Sequence, residues 1–395
     1  LRIALLGNMN NNSNNLAKYL LDMGYTCDVL FFKNEAEHFY PDADNIDPVN
    51  YGVKQLTWGS YKDYFVTTKK NINNDLLDYD FLIGSRLSPA YMLRVNKILD
   101  IFMPTGGELH TLPVFNSWGI RDLIKYLGFS KIQLNAIRSV GCLFWDDTNN
   151  EVEQTIAPII HGLDRIRHAI PMVYYPEFQG NSLERRKDAS KWLDRFIAAR
   201  ADADIYLFNH VKHVWTRNTI NRYGKYHEKG NDQVVKALAS YYKGQPEVKI
   251  KVAMFEYGSD HIQTRKLAKE LEIDHYIDWF PQLPRKEIML GIMISDAVIG
   301  EITRSWFSYG TIIEAMAMQK TVIHHRNDYL YPTKKMYPML HVNNEETLAE
   351  IFQKIAQGQV NLVGMGKEAF EWLRDYGVGQ ALKEITHKID IKLNL

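Results

Sequence analysis

Short apolar runs alternate with helix-period stripes along the chain. Residues 2–7 read as a strand that ends at Gly7. The asparagine-rich stretch from Asn8 to Asn15 reads as a loop. Leu16, Leu20, Leu21 and Met23 then form a helical stripe that stops at Gly24, a C-cap candidate. A second apolar run covers 27–32, and further runs lie at 81–84 and 101–104. Strands separated by helices predict parallel pairing and an α/β sheet. Residues 40–75, rich in Tyr, Asn and Asp, read as loop with short elements. Breakers at Ile170-Pro171 and Tyr175-Pro176, followed by a charged helical stretch at 182–200, mark a domain boundary. The alternation then restarts, with strands at 205–208, 248–255, 276–280, 296–300 and 321–323. Helices are predicted at 233–242, 262–271, 310–318, 346–357, 366–374 and about 378–389. Two such halves predict two Rossmann-like domains facing a central cleft, with ligands beyond the C-terminal ends of the strands.

Composition narrows the classes of function. A chain of 395 residues exceeds one ordinary core and suits two domains. Its 47 Lys and Arg balance 47 Asp and Glu, so no nucleic-acid partner is expected. Hydrophobic residues at 46% exclude a largely disordered chain. No run approaches the ~20 apolar residues of a membrane span. The opening apolar run is too short for a signal-peptide core, and Cys27 and Cys142 make no disulfide framework. A reducing, cytoplasmic setting is therefore expected. Arg185, Arg186, Lys187, Lys191, Arg195 and Arg200 interleave with Trp192, Leu193 and Phe196. That pattern reads as a solvated amphipathic helix, with peripheral contact to an anionic membrane surface as its other use.

Four loops carry candidate chemistry. Gly7-Asn8-Met9-Asn10 lacks the later glycines of a dinucleotide fingerprint, which argues against NAD or FAD there. Its asparagines could bind a polyhydroxyl or anionic ligand, or simply shape a turn and cap the helix. In Gly106-Gly107-Glu108-Leu109-His110, paired glycines would let a ligand approach the backbone, beside two polar side chains; a tight turn is the simpler reading. Lys229-Gly230-Asn231-Asp232 puts a cation at a helix N-terminus, against the macrodipole. It makes sense if an anion such as diphosphate lies between, with Lys212 as a second cation. Glu314 stands near the start of a helix after Gly310-Thr311, a place favourable to any carboxylate and suited to vicinal ribose hydroxyls. His210-x-x-His213 and His324-His325 lack a third ligand at motif spacing, so they read as surface or loop histidines, and no metal is expected. Neither a nucleophile elbow nor a Walker A loop occurs.

The order Lys212, Lys229-Gly230-Asn231-Asp232, Tyr257-Gly258-Ser259-Asp260, Asp296-Ala297-Val298, Gly310, Glu314-Ala315-Met316-Ala317 and Thr321-Val322-Ile323 resembles retaining GT-B glycosyltransferases of the family 4 type. The resemblance covers about 205–330, and more weakly the N-terminal half. It implies an acceptor-side domain at 1–177, a nucleotide-sugar domain at 178–376 and a helix at 377–395 that packs back on the first. Lys229 and Lys212 would hold the donor diphosphate, Glu314 the ribose, with Gly230, Gly258, Gly310 and Thr311 around the donor. Gly7, Asn8, Asn10, Gly106 and Gly107 would line the sugar and acceptor side. Lys229, His110 and Glu108 would serve catalysis. Where the family has a glutamate eight residues before Glu314, this chain has Trp306, and Glu301 is the nearest substitute. The implied reaction moves a hexosyl group from a UDP- or GDP-sugar to a hydroxyl of a glycan or lipid-linked acceptor, without cofactor or metal. A nucleotide-sugar epimerase, or a non-catalytic binding protein of the same fold, is the alternative. Lys229→Ala is expected to cost turnover more than folding.

Overall fold

The computed structural model describes residues 1–33, 35–110, 120–146, 150–179, 190–223 and 227–393. The chain divides into two compact units, Leu1–Tyr174 with Asp375–Leu395, and Tyr175–Arg374.

The first unit is built on β1 (Arg2–Leu6), β2 (Thr26–Phe31), β3 (Gly52–Gln55), β4 (Phe81–Gly84), β5 (Ile101–Phe102), β6 (Cys142–Phe144) and β7 (Arg165–Ile166). They form one parallel sheet in the order β3-β2-β1-β4-β5-β6-β7. Central parallel strands are covered on both faces, which demands unbroken apolar runs. Ile3 to Leu6, Val29 to Phe31 and Phe81 to Ile83 meet that demand and are buried. The strand order reverses between β1 and β4, so a crevice is expected past Gly7 and Ser85. The last helix, Gly379–Leu393, belongs to this unit. It buries Ala381, Leu382, Ile385 and Ile389 and is pinned by Lys388 to Asp164, Lys392 to Asp100, and Tyr25 to Asp390.

The second unit carries β8 (Ile205–Asn209), β9 (Ile250–Glu256), β10 (Ile277–Pro281), β11 (Ala297–Ile299), β12 (Thr321–His324) and β13 (Leu340–His341). They too are all parallel, in the order β10-β9-β8-β11-β12-β13. Here the order reverses between β8 and β11. Leu207, Val252, Met254, Ile299, Ile323 and Phe352 share one core.

The architecture is the expected pair of parallel-sheet α/β domains. One local expectation changes. The asparagine run is not all loop: a helix starts at Asn12, and Asn12 to Asn15 are buried in its first turn. Long-range partners explain this, since Asn14 and Asn15 donate to Asp44, and Asn15 also donates to Met172 O. Stretch 40–75 holds short elements, as expected, among them the strand β3, whose exposed edge position requires no apolar run. The charged helical stretch is described only from residue 190, with a helix at Leu193–Ala201; Arg185, Arg186 and Lys187 lie outside the described residues.

Candidate functional site

In the second unit the loops beyond β8 and β11 converge. Asn209 ends β8, is fully buried, and donates from Nδ2 to Ile299 O at 2.9 Å. The next residue, His210, places Nε2 2.6 Å from Glu314 Oε2. Arg285, at the start of helix Arg285–Ile294, donates from Nε to Glu314 Oε1 at 2.9 Å. Glu314 itself is buried in helix Gly310–Ala317. Burial alone would raise its pKa, but the Arg285 charge and the His210 hydrogen bond overcome this and take it down to about 2. The carboxylate is therefore ionised and held in a fixed orientation. Each oxygen keeps a second lone pair for a further donor, such as a hydroxyl.

Lys229 and Glu301 form the second part of the site. Gly230, which has no side chain to offer as a cap, adopts φ +75° as N-cap of helix Asn231–Lys243. A Cβ at this position would lie 3.1 Å from Thr303 Cγ2 and 3.3 Å from Ile302 Cβ, so glycine lets the two loops meet. Ile302 N donates to Lys229 O, and Lys229 Nζ donates to Glu301 Oε1 at 2.5 Å. Both side chains are largely buried, at 18% and 6% exposure. The Trp306 ring lies 5.6 Å from the same ammonium. Glu301 Oε2 and Trp306 Nε1 are buried without a hydrogen-bond partner among the described residues. Buried polar atoms are seldom left so in native proteins, which marks both as candidates for a ligand. Glu301 N donates to Tyr309 Oη at 2.5 Å, and Tyr309 is the N-cap of the helix that carries Gly310, Thr311 and Glu314. One loop thus ties the Lys229–Glu301 pair to the Glu314 clamp. An ammonium has three donors, so Lys229 can keep Glu301 and still bind a phosphate oxygen.

Other expected residues fall elsewhere. Lys212 is exposed, 5.8 Å above the Tyr257 ring. Gly258, at φ +105°, packs so closely on His213 that a Cβ would stand 2.5 Å from its backbone N and O. In the first unit, Gly7 has φ +76° and its missing Cβ would strike the Phe32 ring at 2.5 Å. Asn8 is fully buried: its Nδ2 donates to Asn11 Oδ1 and Phe39 O, and its Oδ1 accepts from Asn14 N. Asn10 is exposed, at φ 55°. Gly106 and Gly107 lead into the short helix Gly107–His110, where Glu108 Oε1 accepts from Thr105 N and Oγ1. His110 closes that helix.

Two further facts bear on the histidines and on residues that sequence reasoning missed. His210 and His213 lie in the loop after β8, as expected, but His213 is buried and His210 partly so, and His324 is buried at the end of β12. His213 Nδ1 pairs with Thr264 Oγ1 at 2.8 Å, and His324 Nε2 with Tyr337 Oη at 2.9 Å. Burial first of all lowers the pKa of His213, to about 4, and that of His324 as well. Among the described residues no group of His, Cys, Asp and Glu could hold a metal. None of their helices is long and apolar enough to cross a membrane. Arg285 gave no motif signal: its partner Glu314 is 29 positions away. In the first unit, Glu35 was likewise missed. Its Oε1 accepts from Asn8 N at 2.9 Å, and Arg86 lies 3.8 Å away. Burial pushes this carboxyl up to about 7 despite both contacts.

No family model matches the chain, and no curated protein matches it in sequence. Solved structures do. Sucrose-phosphate synthase from Thermosynechococcus elongatus is similar over 100% of both chains, with 13% identity and a TM-score of 0.63. Anabaena HepE in complex with UDP-glucose is similar over 98% of this chain and 99% of its own, with 12% identity and a TM-score of 0.63. The UDP-GlcNAc 2-epimerase of Methanocaldococcus jannaschii is similar over 95% and 99%, with 11% identity and a TM-score of 0.54. The fold is GT-B. At these identities the likeness concerns the fold alone.

Proposed function

We propose that the chain is a retaining glycosyltransferase of the family 4 type, moving a hexosyl group from a UDP- or GDP-sugar to a hydroxyl of a glycan or lipid-linked acceptor. The observation that carries this reading is the Lys229–Glu301 pair at the N-terminus of helix Asn231–Lys243, where the N-cap is a glycine, bound by one loop to the Glu314 clamp. A nucleoside diphosphate sugar supplies what each part lacks. Its diphosphate meets Lys229 and the helix amides. Its ribose hydroxyls donate to Glu314, and a sugar hydroxyl donates to Glu301 Oε2 while accepting from Trp306 Nε1.

As the bond to the anomeric carbon breaks, negative charge grows on the leaving diphosphate. A fixed ammonium and oriented amides stabilise that charge with little reorganisation. In the retaining reading, the acceptor attacks from the leaving-group face and its proton passes to the departing phosphate oxygen, so no protein nucleophile is required. The HepE complexes with UDP-glucose and UDP support a nucleotide-sugar ligand for a fold of this kind.

The epimerase likeness keeps a second reading in view. Incubation with single UDP- and GDP-sugars, in EDTA, with and without added glycans, separates the two. The transferase reading expects UDP or GDP release that rises with an acceptor. An epimerized sugar still attached to its nucleotide, formed without acceptor, would replace it. Loss of all turnover in EDTA, restored by a divalent cation, would remove the metal-independent part.

A further inference from the structure

We infer that the second unit holds a separate binding pocket for a neutral carbohydrate, past the ends of β12 and β13. The pocket has a volume of ≈550 Å³, a size that suits one or two sugar rings. His325, Asn327, Tyr329, His341 and Asn343 are among its lining residues. None of these residues belongs to the Lys229–Glu301–Glu314 site.

The chemistry of the wall selects the ligand class. Arg326 also borders the pocket, but its charge is closed off. Its Nε donates to Asp328 Oδ1 at 2.6 Å, its Nη1 to Tyr337 O at 3.1 Å, and its guanidinium lies 4.3 Å over the Tyr337 ring. What remains beside this Arg326–Asp328 pair is imidazoles, amides, phenols and the apolar Pro338 and Met339. Burial lowers the pKa of the His325 ring, against backbone hydrogen bonding at Thr303 and Ile302 that raises it, so the ring brings no charge at neutral pH. The His325 and His341 rings pack edge to face, 5.5 Å apart at 75°. Tyr329 is 95% exposed on a short helix fixed by Asn327, whose Oδ1 accepts from Tyr329 N. An open aromatic face beside mixed donors and acceptors fits the C–H face and hydroxyl rim of a pyranose. An anion would find no uncompensated charge there.

The pocket also adjoins the reaction loop. His325 N donates to Glu301 O at 2.9 Å, Trp306 N to His325 O at 3.2 Å, and Asn327 N to Ser305 Oγ at 2.8 Å. The pocket wall and the loop bearing Glu301 and Trp306 are therefore neighbouring strands of chain. A carbohydrate seated in the pocket is held beside that loop as a further unit of a longer glycan; that role rests on the glycosyltransferase reading, whereas the ligand class rests on the pocket alone.

Saturation-transfer NMR on the full chain tests this, with methyl α-glucoside, methyl α-galactoside and methyl α-mannoside offered singly. At least one should receive saturation, and keep it when UDP, GDP or inorganic phosphate is added. Its affinity should fall about fivefold or more in Tyr329→Ala and in His341→Ala, the loss of one stacking face or hydrogen bond. Both side chains are exposed, and circular dichroism confirms that the variants stay folded. No transfer from any glycoside, equal affinity in both variants, or displacement by phosphate would each overturn the inference. UDP and GDP titrations of the same sample report separately on the donor reading. Glycoside binding without nucleotide binding would remove the transferase and leave the pocket.

Discussion

Lys229 and Glu301 are a buried pair, and this alters what a substitution at Lys229 does. Removing one partner of such a pair leaves a carboxylate with no counter-charge, which costs about 3–5 kcal/mol. Lys229→Met should therefore lower stability as well as nucleotide binding, and Glu301→Gln added to it should restore most of the stability and none of the binding. Urea unfolding of the three proteins checks this; a double variant no more stable than Lys229→Met contradicts it. Glu35 makes the opposite case. Its folded pKa of about 7 lies above its ordinary value of 4.5. The native state thus holds a proton that the unfolded chain has released, and stability is full below pH 4.5 and lost as pH rises through 7. The loss is about 3 kcal/mol, and Glu35→Gln should flatten it. Melting curves at pH 5 and pH 8 read this directly; parallel pH profiles for the two proteins would refute it. Glu314, held at about 2, works in the other direction. Its stabilisation is present above pH 4.5 and fades as pH falls through 2. Neither pattern was legible in the sequence. A carboxylate's partners are set by which strand ends lie side by side, and Glu35, Arg86 and Asn8 belong to three different loops.

At the scale of elements, the strands were readable because a parallel sheet buries both faces. β1, β4 and β8 are dominated by buried apolar residues for that reason, and β2 and β9 are too, apart from Asp28 and Lys251. The two-residue β5, β7 and β13 and the edge strand β3 carry no such signature, and only β5 was anticipated. Lys229-Gly230 before a helix and Glu314 inside one were legible because helix termini have fixed electrostatic demands. Glycines at strand ends show a related logic. Gly7→Ala combines a left-handed backbone with a Cβ 2.5 Å from Phe32, and should cost about 3 kcal/mol or more. Gly24→Ala has a similar φ of +88° but open space, and should cost only about 1–2 kcal/mol. Equal urea midpoints for the two variants would show that packing at Gly7 contributes nothing.

At the scale of the molecule, the chain leaves its first unit at Tyr174 and returns at Asp375. Truncation after Arg374 removes the buried Ile385 and Ile389 and the ties to Asp100, Asp164 and Tyr25. Hydrogen exchange should then speed up around β7 and Tyr25 while the β8–β9 core keeps its protection. Faster exchange in the second sheet alone would contradict that division. The central claim concerns the second unit: its buried ammonium holds a nucleoside diphosphate. Calorimetric titration of UDP and GDP into the wild-type chain and into the Lys229→Met, Glu301→Gln double variant, in EDTA, tests it most directly. Binding of at least one nucleotide to the wild type, weakened tenfold or more in a variant that remains folded, is the predicted result. No binding to the wild type, or equal affinity in both proteins, would contradict it.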